Sequence, residues 1–166
     1  MPTKSKKASV SPSSIDNRRA RYDYNILEDH EAGLALVGSE VKSLYKGRAN
    51  LGDSYCRVIN GELFLINMDI EPYENSTAFA HERRRDRKLL MHRSQIDTLE
   101  RKSLEKGLTM VPLRVYFNAR GRAKVRIGLA RGRAQYDKRD QIARDETRRE
   151  ASAVRAAQRG KSTLDL

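Results

Sequence analysis

The segment 124–139, KVRIGLARGRAQYDKR, restricts the possible folds of this chain more than any other. Its first half alternates. Ala123, Val125, Ile127 and Leu129 point to one side and Lys124 and Arg126 to the other, the period of a strand with one face in a core. Beyond Leu129 the chain passes Gly132 into a charged run with almost nothing to bury. A folded body therefore ends near Leu129, and a basic polar arm follows it. Such an arm suits the negative, irregular surface of RNA.

Charge extends this reading to the whole chain. The 166 residues carry a net charge of +12, with a pI near 10.1. Residues 1–17 contribute +2, 18–130 contribute +6 and 131–166 contribute +4, so body and tail are both basic. A surface of one sign attracts polyanions over a Debye length, ~8 Å at physiological salt. Nucleic acid or the ribosome is the expected partner. No apolar run exceeds four residues, the length of LALV at 34–37, far too short to cross a membrane. The N-terminus has charge but no apolar core, so it does not read as a secretory signal. Cys56 is the only cysteine and reads as a small core residue. The protein is expected to be cytoplasmic, with no membrane contact.

Three regions follow. Residues 1–16 are rich in Ser, Lys and Pro and are expected to be a disordered basic extension. Residues 17–130 form the body, and 131–166 the tail. In the body, Tyr22, Tyr24 and Ile26 alternate as in a strand. Ser39 is placed to cap a short helix with Val41, Leu44 and Tyr45 on one stripe, ended by Gly47. Asn60-Gly61 between SYCRVI and ELFLINMDI predicts a hairpin with a type I′ turn. Residues 71–87 read as a long loop. Ser94 and Asp97 resemble a capping box for a helix that stops by Gly107.

Leu113, Val115 and Phe117 then form the buried face of a strand that turns back into 123–129. The pleat places Arg114, Tyr116, Lys124 and Arg126 together on the outer face. Three cations and an aromatic ring there can meet phosphates and stack on a base or sugar. Five or six short strands with two or three flanking helices predict a mainly β fold. The expected form is a small barrel like the oligonucleotide-binding fold, with a disordered C-terminal tail.

Local catalytic motifs are missing. There is no phosphate-binding Walker loop, and GLARGR lacks the spacing of a dinucleotide fingerprint. His30, His81 and His92 stand in no metal-ligand spacing. Asp69, Glu71 and Glu74 read as a solvated rim at a strand end. The expectation is a binding protein with no catalytic residues, no metal and no cofactor.

Several separated segments share one resemblance. NRRA at 17–20, EAGLALVGSEVKSL at 31–44, GRANLGDSY at 47–55, RKLL at 87–90, VPLRVYF at 111–117 and KVRIGLARGRAQYDKR at 124–139 resemble the small protein B family. These are the SsrA-binding proteins of bacterial trans-translation. The resemblance implies a barrel that binds the tRNA-like domain of transfer-messenger RNA (tmRNA). It also implies travel with elongation factor Tu and GTP to the small subunit of stalled ribosomes. The tail, disordered when free, becomes helical in the empty message channel and reaches the decoding centre. By the same resemblance Asn17, Arg18, Arg19 and Lys124 match RNA-contact positions. The local chemistry adds Glu31, which can accept hydrogen bonds from RNA base or sugar groups. It also adds Arg87 and Lys88, which end a run with Arg83, Arg84 and Arg85 that can clamp phosphates. Gly132, Arg133, Tyr136, Asp137, Lys138 and Arg139 match the decoding-centre segment. The chain departs from the family at Tyr45, where an Arg often follows KSL. It departs again in the GKK-type segment, where Arg133 and Ala134 stand. The alternative is a general ribosome-associated or single-stranded-RNA-binding barrel. The protein is expected to be a monomer.

Overall fold

A computed structural model describes residues 12–76, 81–105, 107–133 and 135–161, the side chains of 135–141 and 158–161 excepted. Its long strands are β2 (Tyr24–Leu34), β4 (Tyr55–Ile59), β5 (Glu62–Ile66), β7 (Arg87–Leu90), β8 (Leu108–Phe117) and β9 (Ala123–Gly132). They close a ring in which every neighbouring pair is antiparallel, in the order β2, β9, β8, β4, β5, β7 and back to β2. Closure removes the sheet edges that would otherwise invite pairing with another chain. The mainly β barrel expected from the sequence is present. β1 (Ile15–Asp16) pairs with β8, so the body begins two residues earlier than expected. β3 (Ala49–Asn50) and β6 (Asp69–Ile70) form a separate two-stranded pair.

The β4–β5 turn follows its sequence. Asn60 and Gly61 have φ of 52° and 77°, the two left-handed positions that a type I′ turn demands. β9 also follows its pattern: Val125, Ile127 and Leu129 are buried in the barrel while Arg126 faces out.

Other local expectations change. Tyr22 belongs to a helix, α1 (Arg18–Asp23), that is too short to show a period. α1 covers part of the outer wall and makes a second small core from Ala20, Val111, Leu113 and Ala130. Leu113 therefore does not share a face with Val115. The register shifts between Pro112 and Arg114, where a proline without an N–H is tolerated, and Leu113 turns outward beneath α1. Gly128 permits this contact, since a Cβ there would lie 3.1 Å from a Leu113 methyl and 3.2 Å from one of Ile26.

α2 (Gly38–Tyr45) is capped by the Glu40 side chain, which accepts the Val37 N–H at 3.1 Å. Ser39 lies inside its first turn and bonds His81 at 2.9 Å. α3 (Arg93–Ser103) starts from His92 without a side-chain cap, and the Ser94–Asp97 box does not form. Gln135–Lys161 form one long helix, α4, over the region expected to be disordered in the free protein. Residues 1–11, on which most of the disordered-extension expectation falls, lie outside the described residues.

Candidate nucleic-acid interface

The exposed face of β2, β8 and β9 collects the residues that the pleat argument brought together. Tyr116 stands opposite Lys124, and Arg114 opposite Arg126. Like charges across a sheet repel, and acids from neighbouring strands relieve the strain. Arg126 donates to Asp29 on β2 at 2.8 Å. Arg114 lies 3.5 Å from Asp16 on β1 and donates to Ser14 at 3.0 Å. The Tyr116 hydroxyl donates to the Glu31 carboxylate, and the Arg114 guanidinium lies 5.8 Å from the centre of the Tyr116 ring. Partial burial, followed by the bond to Glu31, pushes the Tyr116 hydroxyl above its usual pKa, so it remains a donor at neutral pH.

Lys124 is placed differently. It is half-buried, opposite Gly33 on β2, and has no ion pair among the described residues. The face thus offers one unpaired ammonium beside a Tyr–Glu acceptor pair and two guanidiniums held in place by acids. It can take a phosphate at Lys124 and a sugar or base edge at Glu31. Asp29 and Asp16 were not foreseen. Period two along β2 puts Asp29 with Glu31, a legible signal, but only the barrel brings them to Arg126.

Two expected RNA contacts prove to be interior groups. Asn17 is 4% exposed. Its amide donates to Leu51 O at 3.3 Å and Pro112 O at 2.8 Å, and its carbonyl oxygen caps α1 by accepting the Ala20 N–H at 3.2 Å. Asn17→Ala is expected to cost about 2–3 kcal/mol, a lost cap plus two orphaned carbonyls. Urea unfolding measures it, and a loss below about 0.5 kcal/mol would overturn the structural role. Arg87 is fully buried and pairs with the buried Glu40 on α2. It also donates to the carbonyls of Met68 (2.7 Å), Arg85 (3.2 Å) and Arg83 (3.0 Å). Alternation along β7 explains the correction: Arg87 and Leu89 point inward, Lys88 and Leu90 outward.

Lys88 is exposed and bonds Glu62 on β5 at 2.8 Å. The neighbouring run is held as well: Arg83 makes a two-pronged contact with Asp69 at 2.8 and 3.0 Å, and Arg85 binds Glu40. The Arg83 bonds outweigh slight burial and hold the Asp69 carboxyl below its usual range. Arg18 and Arg19 are exposed on α1, and Arg19 reaches Asp23 at 3.3 Å and Asp53 at 3.4 Å.

At the tail junction, Gly132 pairs with Tyr24. Arg133 donates its backbone N–H to Asp23 O at 3.0 Å and its Nε to Tyr24 O at 3.2 Å. These two residues are body, not arm. The side chains of Tyr136, Asp137, Lys138 and Arg139, and all of Ala134, lie outside the described residues. Cys56 is buried, and desolvation pushes its thiol far above the usual range. Among the described residues no group of three His, Cys, Asp or Glu is placed to hold a metal, and no helix is long and apolar enough to cross a membrane.

Known proteins are similar to this chain in sequence and fold. The family model described as SmpB protein matches residues 14–157. The SsrA-binding protein of Moorella thermoacetica is 59% identical over 145 residues, spanning 87% of this chain and 94% of that protein. That of Desulforudis audaxviator is 56% identical over 146 residues, 88% and 93% of the two chains. A solved chain described as "tmRNA-SmpB: a journey to the center of the bacterial ribosome" is 48% identical with a TM-score of 0.64, over 78% of this chain and 94% of that one.

Proposed function

The chain belongs to the SmpB family, and from that membership we propose that it binds the tRNA-like domain of tmRNA and delivers it to stalled ribosomes for trans-translation. The observation that carries this reading is the family match over 14–157, which takes in both the basic barrel face and the tail. The face at Glu31, Arg114, Tyr116, Lys124 and Arg126 holds the RNA. Lys124 neutralises a phosphate, Tyr116 and Glu31 meet sugar or base, and the two arginines add field and stacking. Exposed Arg18, Arg19 and Lys88 extend the basic surface. The tail from Tyr136 to Arg139 reaches the decoding centre through the empty message channel, where Tyr136 stacks and Lys138 and Arg139 hold ribosomal phosphates. Elongation factor Tu with GTP joins through the RNA, and the protein works as a cytoplasmic monomer without catalysis or cofactor.

The test is a gel-shift titration with labelled tRNA-like domain against excess tRNA at near-physiological salt. Competitor-resistant binding supports the reading; binding that tRNA erases leaves only a general basic barrel. Lys124→Ala is expected to weaken binding and lower the slope of log K against log salt by about one, as for one lost phosphate contact. An unchanged slope would remove Lys124 from the phosphate contacts.

A further inference from the structure

The outer face of β2, β8 and β9 is basic in its residue types but not in its balance. Arg114, Lys124 and Arg126 stand among Asp16, Asp29 and Glu31, three cations against three carboxylates. A face that held RNA by charge alone would gain nothing from the acids, since each repels a phosphate approaching its neighbour. The β2–β9 ladder shows what one of them does. Arg126 stands directly opposite Glu31, the position from which cross-strand ion pairs form. Its Nε instead donates to Asp29, two residues back along β2, at 2.8 Å. Glu31 is thereby left to the Tyr116 hydroxyl and makes no ion pair among the described residues. Asp29 and Glu31 share one side of the pleat, about 7 Å apart at strand rise, so a phosphate reaching for Arg126 meets two negative groups. The Arg126 and Asp29 side chains are 46% and 48% exposed, so no part of the core depends on their pair.

We propose that Asp29 is a specificity-determining residue: by holding Arg126 it withholds a guanidinium from the phosphates of RNA in general and keeps Glu31 open to the tRNA-like domain. The inference rests on the proposed function and deepens it. Every RNA offers phosphates, and a free guanidinium takes their oxygens in pairs whatever the sequence. Selection has to come from groups that different RNAs present in different places. With Arg126 held by Asp29 and Arg114 by Asp16, the face keeps one cation without an ion pair among the described residues, Lys124. Beside it Glu31 accepts from a base N–H or a ribose 2′-OH. One phosphate contact retains bulk RNA weakly. A phosphate and a donor that together match Lys124 and Glu31 retain the right RNA. Without Asp29 the freed guanidinium turns to a phosphate, and the face becomes a site for polyanions at large.

The test compares the full-length parent with Asp29→Asn, an exposed and nearly isosteric change, in gel shifts over a range of salt. Labelled tRNA-like domain and labelled tRNA are titrated separately, and Asp29→Ser serves should the first variant fold poorly. The ratio of affinities, tRNA-like domain over tRNA, should fall by about threefold or more, chiefly because tRNA binds more tightly. The slope of log K against log salt for tRNA should steepen by about one, as for one gained phosphate contact. Asp97→Asn, the same charge change on the exposed side of α3, should leave ratio and slope as in the parent. A smaller fall in the ratio, an unchanged tRNA slope, or an equal effect from Asp97→Asn would overturn the proposal. A parent chain that does not distinguish the two RNAs would instead overturn the proposed function, and that result is read on the unaltered protein alone.

Discussion

A chain ending at Arg133 should bind the tRNA-like domain within a few-fold of full-length affinity and yet support no tagging on stalled ribosomes. Every residue of the β2–β8–β9 face precedes that point, and so do the strand pairs that hold it. The cut position matters. Ending at Leu129 would delete Ala130, which is fully buried under α1, and leave Tyr24, Asn25 and Ile26 without their β9 partners. α4 gives the body little in return. Ile142 and Val154 are 43% and 56% exposed, so its thin apolar stripe is uncovered. A helix with so little packing is marginal in water and gains its order from a partner. Gel shift and a tagging assay with stalled ribosomes measure the two halves of the expectation. A loss of RNA affinity beyond about tenfold would show that the tail shares the work assigned to the barrel, and residual tagging would show that it is dispensable on the ribosome.

Glu40→Ala should destabilise the protein by about 3–5 kcal/mol, the cost of stranding a buried charge when its partner is removed. Glu40 and Arg87 are both fully buried, and Glu40 also accepts from Arg85 and from the Val37 N–H at the start of α2. Its loss therefore uncaps α2 and leaves the Arg87 guanidinium without a counter-ion. Arg87→Lys in the parent chain should also lower stability, since a single ammonium cannot reach Glu40 and the Met68, Arg83 and Arg85 carbonyls together. Burial pushes the Glu40 carboxyl up, but the bonds from Arg85, Val37 and Arg87 together outweigh it and hold it below the usual carboxylate range. A lowered folded pKa means that the stabilisation is complete above the unfolded value, roughly 4.3, and fades as pH falls through the folded one. Urea midpoints at pH 7 and on acidification measure both effects. A loss under about 1 kcal/mol at pH 7 would contradict the buried-pair account.

The same two residues show where sequence reasoning stops. RRRDRK at 83–88 reads as one basic run, and its charges look equivalent until the barrel closes. Alternation within RKLL decides that one of Arg87 and Lys88 points inward, but the pattern alone makes the charged residue there look improbable. Its occupancy depends on Glu40, 47 positions away. Asn17 is interior for a similar reason. The resemblance implies an RNA contact at Asn17, while the partners that bury it, Leu51 and Pro112, are remote in sequence. The outer face was read well because its four residues sit on one hairpin, where the pleat is a local property. The acids that steady it, Asp16 and Asp29, come from strands whose pairing is not local.

The chain by itself determined what depends on neighbours within a few residues: the Asn60-Gly61 turn, the alternation of β9 and the outward set Arg114, Tyr116, Lys124 and Arg126. Its ordered motifs also determined the family. The tertiary structure decided which charges are solvated and which are interior, how α1 turns Leu113 and Gly128 into a second core, and that Gly132 and Arg133 belong to the body. Those outcomes depend on burial and on partners far along the chain. A carboxylate or guanidinium has no fixed role until the fold removes water from one side of it and supplies, or withholds, the opposite charge.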